Sequence, residues 1–143
     1  LPACRHHGIG VVPYSPIARG VLTGKYLPGV KPAEGTRAAR GDKRLSETEL
    51  RNESLQIAQT LQQYAQAKGG TVAQLAVAWV LAHQAVSSVI AGPRTYAQWT
   101  DYLPVLDYEL TDEDEALVNS LVAPGHPSTP GFSDPAYPLY PRR

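Results

Sequence analysis

The sequence predicts an α/β fold with parallel strands. Two short, apolar, β-branched runs at residues 9–14 and 87–91 read as buried strands. About 75 residues of loop and helical pattern separate them, ample for a crossover that returns the chain in the same direction. Each run also ends in residues suited to anions, as expected where the strands of one sheet point the same way. Two parallel strands cannot bury both of their faces. With 143 residues that start at Leu1 and contain no methionine, the expectation is a piece of a longer chain whose remaining strands lie elsewhere.

Leu1 to His7 reads as the end of a helix, stopped by Gly8. The strand at 9–14 follows. Residues 27–45 read as a loop rich in glycine, proline and basic residues, with Lys31, Arg37, Arg40, Lys43 and Arg44 against Glu34 and Asp42. A helix is expected over 47–68, started by the capping-box pattern Ser46-Glu47-Thr48-Glu49 and ended by Gly69-Gly70, with Leu50, Ile57, Leu61 and Tyr64 in helical period. A second, over 72–84, is started by the box Thr71-Val72-Ala73-Gln74 and carries Val72, Leu75, Ala76, Trp79, Val80 and His83 on one face. Gly92-Pro93 breaks the second strand. Thr95 to Gln98 starts a helix to about 103, and Thr111 opens a last one to about 122. The proline-rich stretch 124–143 reads as an extended tail that packs on the rest or stays disordered.

Thirteen basic and thirteen acidic residues balance. That argues against a nucleic-acid groove or a membrane-surface patch. No apolar run reaches the ~20 residues of a membrane-spanning helix. The single cysteine, Cys4, fits a reducing compartment, and a cytoplasmic location is expected. His6, His7 and His126 lack partners at metal-ligand spacing, so no metal is expected. Asp112 to Glu115 read as an acidic first helical turn rather than a catalytic carboxylate pair.

The chemistry concentrates at the two strand ends. Tyr14 offers a ring for stacking and Ser15 a hydroxyl and N–H. Gly20 and Gly24 permit close backbone approach, and Lys25 brings a point charge for phosphate. The plainer alternative is a strand, a proline turn and a surface lysine. At the second end, Arg94 precedes a helix start, where an anion is favoured. Gln98 stands one turn on, and its spacing reads first as the reciprocal member of a capping box with Thr95.

The string Tyr14-Ser15-Pro16-Ile17-Ala18-Arg19-Gly20-Val21-Leu22-Thr23-Gly24-Lys25-Tyr26 resembles the strand-7 signature of the aldo-keto reductases. Gly92-Pro93-Arg94-Thr95-Tyr96-Ala97-Gln98 resembles the motif with which that family holds the cofactor tail after strand 8, and Thr71 to Leu81 the helix between them. The Leu-Thr-Gly-Lys form is similar to the branch holding bacterial reductases and potassium channel β subunits. The resemblance implies the C-terminal part, about strands 7 and 8 with their helices, of a (β/α)8 TIM barrel at residues 1–123, followed by the tail at 124–143. It implies an NADP-dependent oxidoreductase that reduces a small aldehyde or ketone. Tyr14 would stack on the nicotinamide, and Ser15, Ile17, Ala18, Gly20 and Lys25 would line the pyrophosphate. Arg37 would belong to a loop folding over the cofactor. Gly92, Arg94 and Gln98 would hold the 2′-phosphate and adenine, with Asp101 as an acidic contact. Tyr102 stands where the family usually has asparagine. The family's catalytic aspartate, tyrosine, lysine and histidine map to no residue here, so the sequence alone is expected to lack activity, and the tail to add part of a substrate rim. A cofactor-binding regulatory subunit is the alternative.

Overall fold

A computed structural model describes residues 1–137 of the chain. The expected tail residues 138–143, with Pro138 and Pro141, lie outside the described residues. Helix α1 (Pro2–His6) closes as the sequence predicts. Gly8 takes φ +64°, the Ile9 N–H donates to Cys4 O at 2.8 Å and the Gly8 N–H to Arg5 O at 3.3 Å.

The two expected strands run parallel, but they pair only at two points, Val11 with Val86 and Tyr14 with Ile90. Ser87 N–H donates to Val11 O at 2.9 Å and Ile90 N–H to Pro13 O at 2.9 Å. Three steps of the first segment face four of the second, so the register slips by one residue between the bridges. Continuous strands over 9–14 and 87–91 are therefore not formed among the described residues. Pro13 has no N–H to extend the ladder. Val12, Tyr14 and Ile90 are at least half exposed, with no further strand beside them among the described residues.

The helix expected over 47–68 is two helices, α2 (Lys43–Thr48) and α3 (Asn52–Ala67). Asp42, not Ser46, caps α2, its side chain accepting the Leu45 N–H at 2.9 Å. Ser46 instead donates its hydroxyl to Asp42 O. The break falls at Arg51, which is extended and spends its guanidinium on Thr48 O and on Ser128 and Thr129 of the tail. Leu55, Ala58, Leu61 and Ala65 form the buried face of α3, one step round from the expected stripe. Gly69-Gly70 ends it as predicted, with Gly70 N–H on Ala65 O at 2.9 Å.

Helix α4 (Val72–Leu81) has the expected capping box, and every residue from Val72 to Ala78 is buried. Apart from Gln74 it is apolar all round, with α3 covering one side and the extended segments another. It stops before His83, whose Nδ1 accepts the Ala85 N–H at 3.1 Å. Helix α5 (Tyr96–Tyr102) runs into a 3-10 turn, Leu103–Asp107, and α6 (Asp112–Leu121) packs on α3 through Leu117, Val118 and Leu121. Asp114 of α6 is fully buried and accepts Tyr64 Oη at 2.8 Å, Lys68 Nζ at 2.7 Å and the Thr111 N–H at 2.8 Å. The tail folds back on α2 and α3. Arg44 forks onto Asp134 at 3.2 and 2.6 Å, and the Arg51 guanidinium lies 3.7 Å from the Phe132 ring.

Candidate functional site

The ends of the two extended segments meet beside the first turn of α4. Between them lies an open cavity of about 280 Å³. Its wall includes Tyr14, Ser15, Ile17, Gly20, Lys25 and Arg37 from the first half of the chain. Gly92, Arg94, Gln98 and Asp101 come from the second half. Ten of the eleven residues singled out in the sequence thus share one cavity. Ala18 does not line it. Its side chain turns the other way, against the core of Val21, Tyr26, Leu45 and Leu55, and borders a second, apolar cavity.

The loop after the first segment bends tightly to bring these groups together. The Ala18 N–H donates to Ser15 O at 2.9 Å, the Gly20 N–H to Ile17 O at 2.9 Å, and Thr23 Oγ1 to Gly20 O at 2.9 Å. Ser15, Ala18 and Arg19 take φ of 56°, 47° and 54°, a left-handed conformation that costs a non-glycine residue about 1–2 kcal/mol. Such strain gathers where surrounding structure holds a loop for function. Gly24 suits its position through its φ of +71°, which a side chain rarely adopts. Gln59 then fixes the end of the turn, donating to Gly24 O at 2.8 Å and to Tyr26 O at 3.3 Å.

The cavity is electropositive. Lys25, Arg37 and Arg94 converge on it, and burial, then Arg94, then Arg37, push the Lys25 amine below the ordinary lysine range. Among the described residues, neither Lys25 nor Arg94 has a carboxylate partner within salt-bridge distance, whereas Arg37 Nη1 donates to Asp42 at 3.1 Å. Ala73, in the first turn of α4, also lines the wall. Arrays of this kind hold phosphates. Tyr14 leaves most of its ring open, 68% exposed, for stacking.

Gln98 forms half of the expected capping box. Its N–H is capped by Thr95 Oγ1 at 3.2 Å, but its Oε1 accepts the Arg94 N–H at 2.7 Å rather than completing a box with Thr95. It therefore pins the residue that carries the cation. Asp101 is engaged with α4. Thr71 Oγ1 donates to its Oδ2 at 3.4 Å, while Gln74 Nε2 donates to its Oδ1 at 3.2 Å and its carbonyl at 2.8 Å. Its carboxylate thus reaches the cavity wall already hydrogen-bonded.

Ala73 and Thr23 were not singled out as site residues. The Thr71 capping box was the available signal for Ala73, since it places the start of α4 at the strand ends. Arg19 also lines the wall, its Nε buried without a hydrogen-bond partner and 3.9 Å from Glu49. No described tail residue lines this cavity; Arg44, Arg51 and Ser54 hold the tail on α2 and α3. Tyr64, Lys68 and Asp114 unite three residue types used in proton transfer, yet they lie outside this cavity. Burial and Asp114 push the Tyr64 phenol up, away from a working acid. Among the described residues no cluster of three metal-ligating side chains exists, and no helix is long and apolar enough to cross a membrane.

Three comparisons bear on this geometry. The model of the Aldo/keto reductase family matches residues 1–123. A probable voltage-gated potassium channel subunit beta of Oryza sativa subsp. japonica is 37% identical over 126 residues, covering 84% of this chain and 38% of that protein. An L-glyceraldehyde 3-phosphate reductase of Escherichia coli is 30% identical over 128 residues, covering 87% of this chain and 37% of that protein. The chain thus spans well under half the length of these curated relatives. The solved structure of a glycerol dehydrogenase from Gluconobacter oxydans superposes with a TM-score of 0.69 at 26% identity, over 97% of this chain and 41% of that one.

Proposed function

The chain belongs to the aldo/keto reductase family, and we propose that it forms the NADPH-holding part of a reductase acting on a small aldehyde or ketone. On this reading the two extended segments are strands 7 and 8 of a (β/α)8 barrel, whose strand ends carry the ligand. Convergence of Lys25, Arg37 and Arg94 beside the open ring of Tyr14 carries the proposal.

The residues present fit the group. Burial, then Arg94, then Arg37, depress Lys25 in this cavity, and an anionic ligand relieves the repulsion among its cations. Lys25, Ser15 and the turn at Gly20 would hold the pyrophosphate. Arg94 would hold the 2′-phosphate, with Gln98 fixing its backbone. Tyr14 would support the nicotinamide face. The bound cofactor supplies the hydride. The chain's own residues bind, orient and neutralise charge. A protein of cytoplasmic location with a small-molecule partner follows from the same reading.

Fluorescence titration with NADPH, observed through Trp79 and Trp99, tests it. Saturable quenching that is lost on replacing Lys25 and Arg94 with alanine is expected. Absence of saturable binding by the unaltered protein would overturn the proposal.

The 37% identity to a probable channel β subunit favours a second reading, in which bound NADPH serves regulation more than turnover. Steady-state assay of the full-length protein that contains this chain, with a panel of aldehydes, separates the two, since sustained multiple turnover sinks the regulatory reading.

A further inference from the structure

We propose that Asp42 is a positioning residue for nucleotide binding, holding Arg37 over the cavity against the repulsion of Lys25 and Arg94. The proposal rests on the reading of the cavity as an NADPH site. Asp42 lines no wall itself, yet it is tied on three sides. Its Oδ1 accepts the Leu45 N–H at 2.9 Å, capping α2, and Leu45 is fully buried among Val21, Tyr26 and Leu55. Its backbone N–H donates to Arg37 O at 3.1 Å, closing residues 37–42 into one turn. Its Oδ2, left free by the cap, accepts Arg37 Nη1 at 3.1 Å.

One carboxylate therefore divides its oxygens between a helix anchored in the core and a cation at the cavity. The division has an electrostatic reason. Arg37 is long and 44% exposed, and Arg19, Lys25 and Arg94 share its cavity, so without a counter-charge it would swing into water. The Leu45 N–H, above all, holds the Asp42 carboxyl below the usual carboxylate range, so the counter-charge is present at neutral pH. An exposed pair of this kind adds little to stability. Its effect lies in where the guanidinium waits.

The test uses Asp42→Asn, Arg37→Ala, the double variant and Asp42→Ala in the full-length protein that contains this chain, each titrated with NADPH and melted without it. Asparagine caps a helix about as well as aspartate. Asp42→Asn is therefore expected to keep its melting temperature while binding NADPH about five- to tenfold more weakly, the size of an ordinary coupling between contacting residues. In the double variant the loss should equal that of Arg37→Ala alone. Asp42→Ala should lose melting temperature as well. Unchanged NADPH affinity in Asp42→Asn with weakened binding in Arg37→Ala would overturn the positioning role and leave the cofactor reading standing. Tighter binding in Asp42→Asn would make Asp42 a competitor of the phosphate and overturn it too. Failure of the unaltered protein to bind NADPH would overturn both.

Discussion

Lys25 Nζ lies 2.9 Å from the point a Cβ on Gly20 would occupy, and Gly20 itself has φ +96°. The lysine crosses the turn where only a hydrogen stands. The amine has room there to line the cavity and lies over the Tyr26 ring, 5.2 Å from its centroid. Gly20→Ala should destabilise the protein by about 1–3 kcal/mol through backbone strain. It should also weaken NADPH binding by displacing the amine. Urea denaturation and NADPH titration of the same variant check the two effects.

Arg94→Ala should weaken NADPH roughly ten- to a hundredfold, the loss of one charge-assisted contact, and NADH much less. Parallel titrations with the two dinucleotides measure this. Equal losses would remove Arg94 from the 2′-phosphate.

Lys25 makes the proposed site sensitive to alkali. Its amine is already pushed below 10.5 by burial, Arg94 and Arg37, and a bound phosphate favours the protonated form. NADPH affinity should therefore fall as pH rises through the lowered value, earlier than for an ordinary lysine. Without ligand the sign is opposite. The folded state binds fewer protons than the unfolded one in that window, so stability rises with pH there. Lys25→Arg, which does not titrate, should flatten the affinity profile measured from pH 7 to 10.

Asp114 and Lys68 should set the limits of the stability plateau. Hydrogen bonds from Lys68, Thr111 and Tyr64 outweigh burial and hold the Asp114 carboxyl far below the usual range. Its contribution is full above the ordinary value of 3.8 and lost as pH falls through the depressed one. Lys68, raised chiefly by Asp114, contributes fully below 10.5 and loses that contribution in strong alkali. Asp114→Asn should lower the urea midpoint at pH 7 and remove much of its fall toward pH 3.

Features that depend on near neighbours were legible in the sequence. Gly8 and Gly69 stop their helices because only glycine adopts the left-handed turn freely. Thr71 and Thr111 start theirs because a hydroxyl reaches an N–H three residues on. The gathering of Tyr14, Lys25, Arg94 and Gln98 was legible too, since parallel segments bring their ends to one side. The break at Arg51 was not, because its cause is Ser128 and Thr129, distant in sequence. Nor did Asp114 differ, as a letter, from its acidic neighbours, although it alone of that turn is buried and meets Lys68 from another helix.

By itself the sequence determined the helix starts at Thr71, Thr95 and Thr111 and the stops at Gly8 and Gly69, that its two extended segments run parallel, and which residues could meet a phosphate. Only the tertiary structure decided that Ala18 turns into the core, that Asp101 is spent on α4 and that Asp42 divides itself between α2 and Arg37. The physical reason is range. Caps and turns are closed by atoms a few residues apart. The direction of a side chain and the partner of a charge are set by whatever the rest of the chain packs beside them.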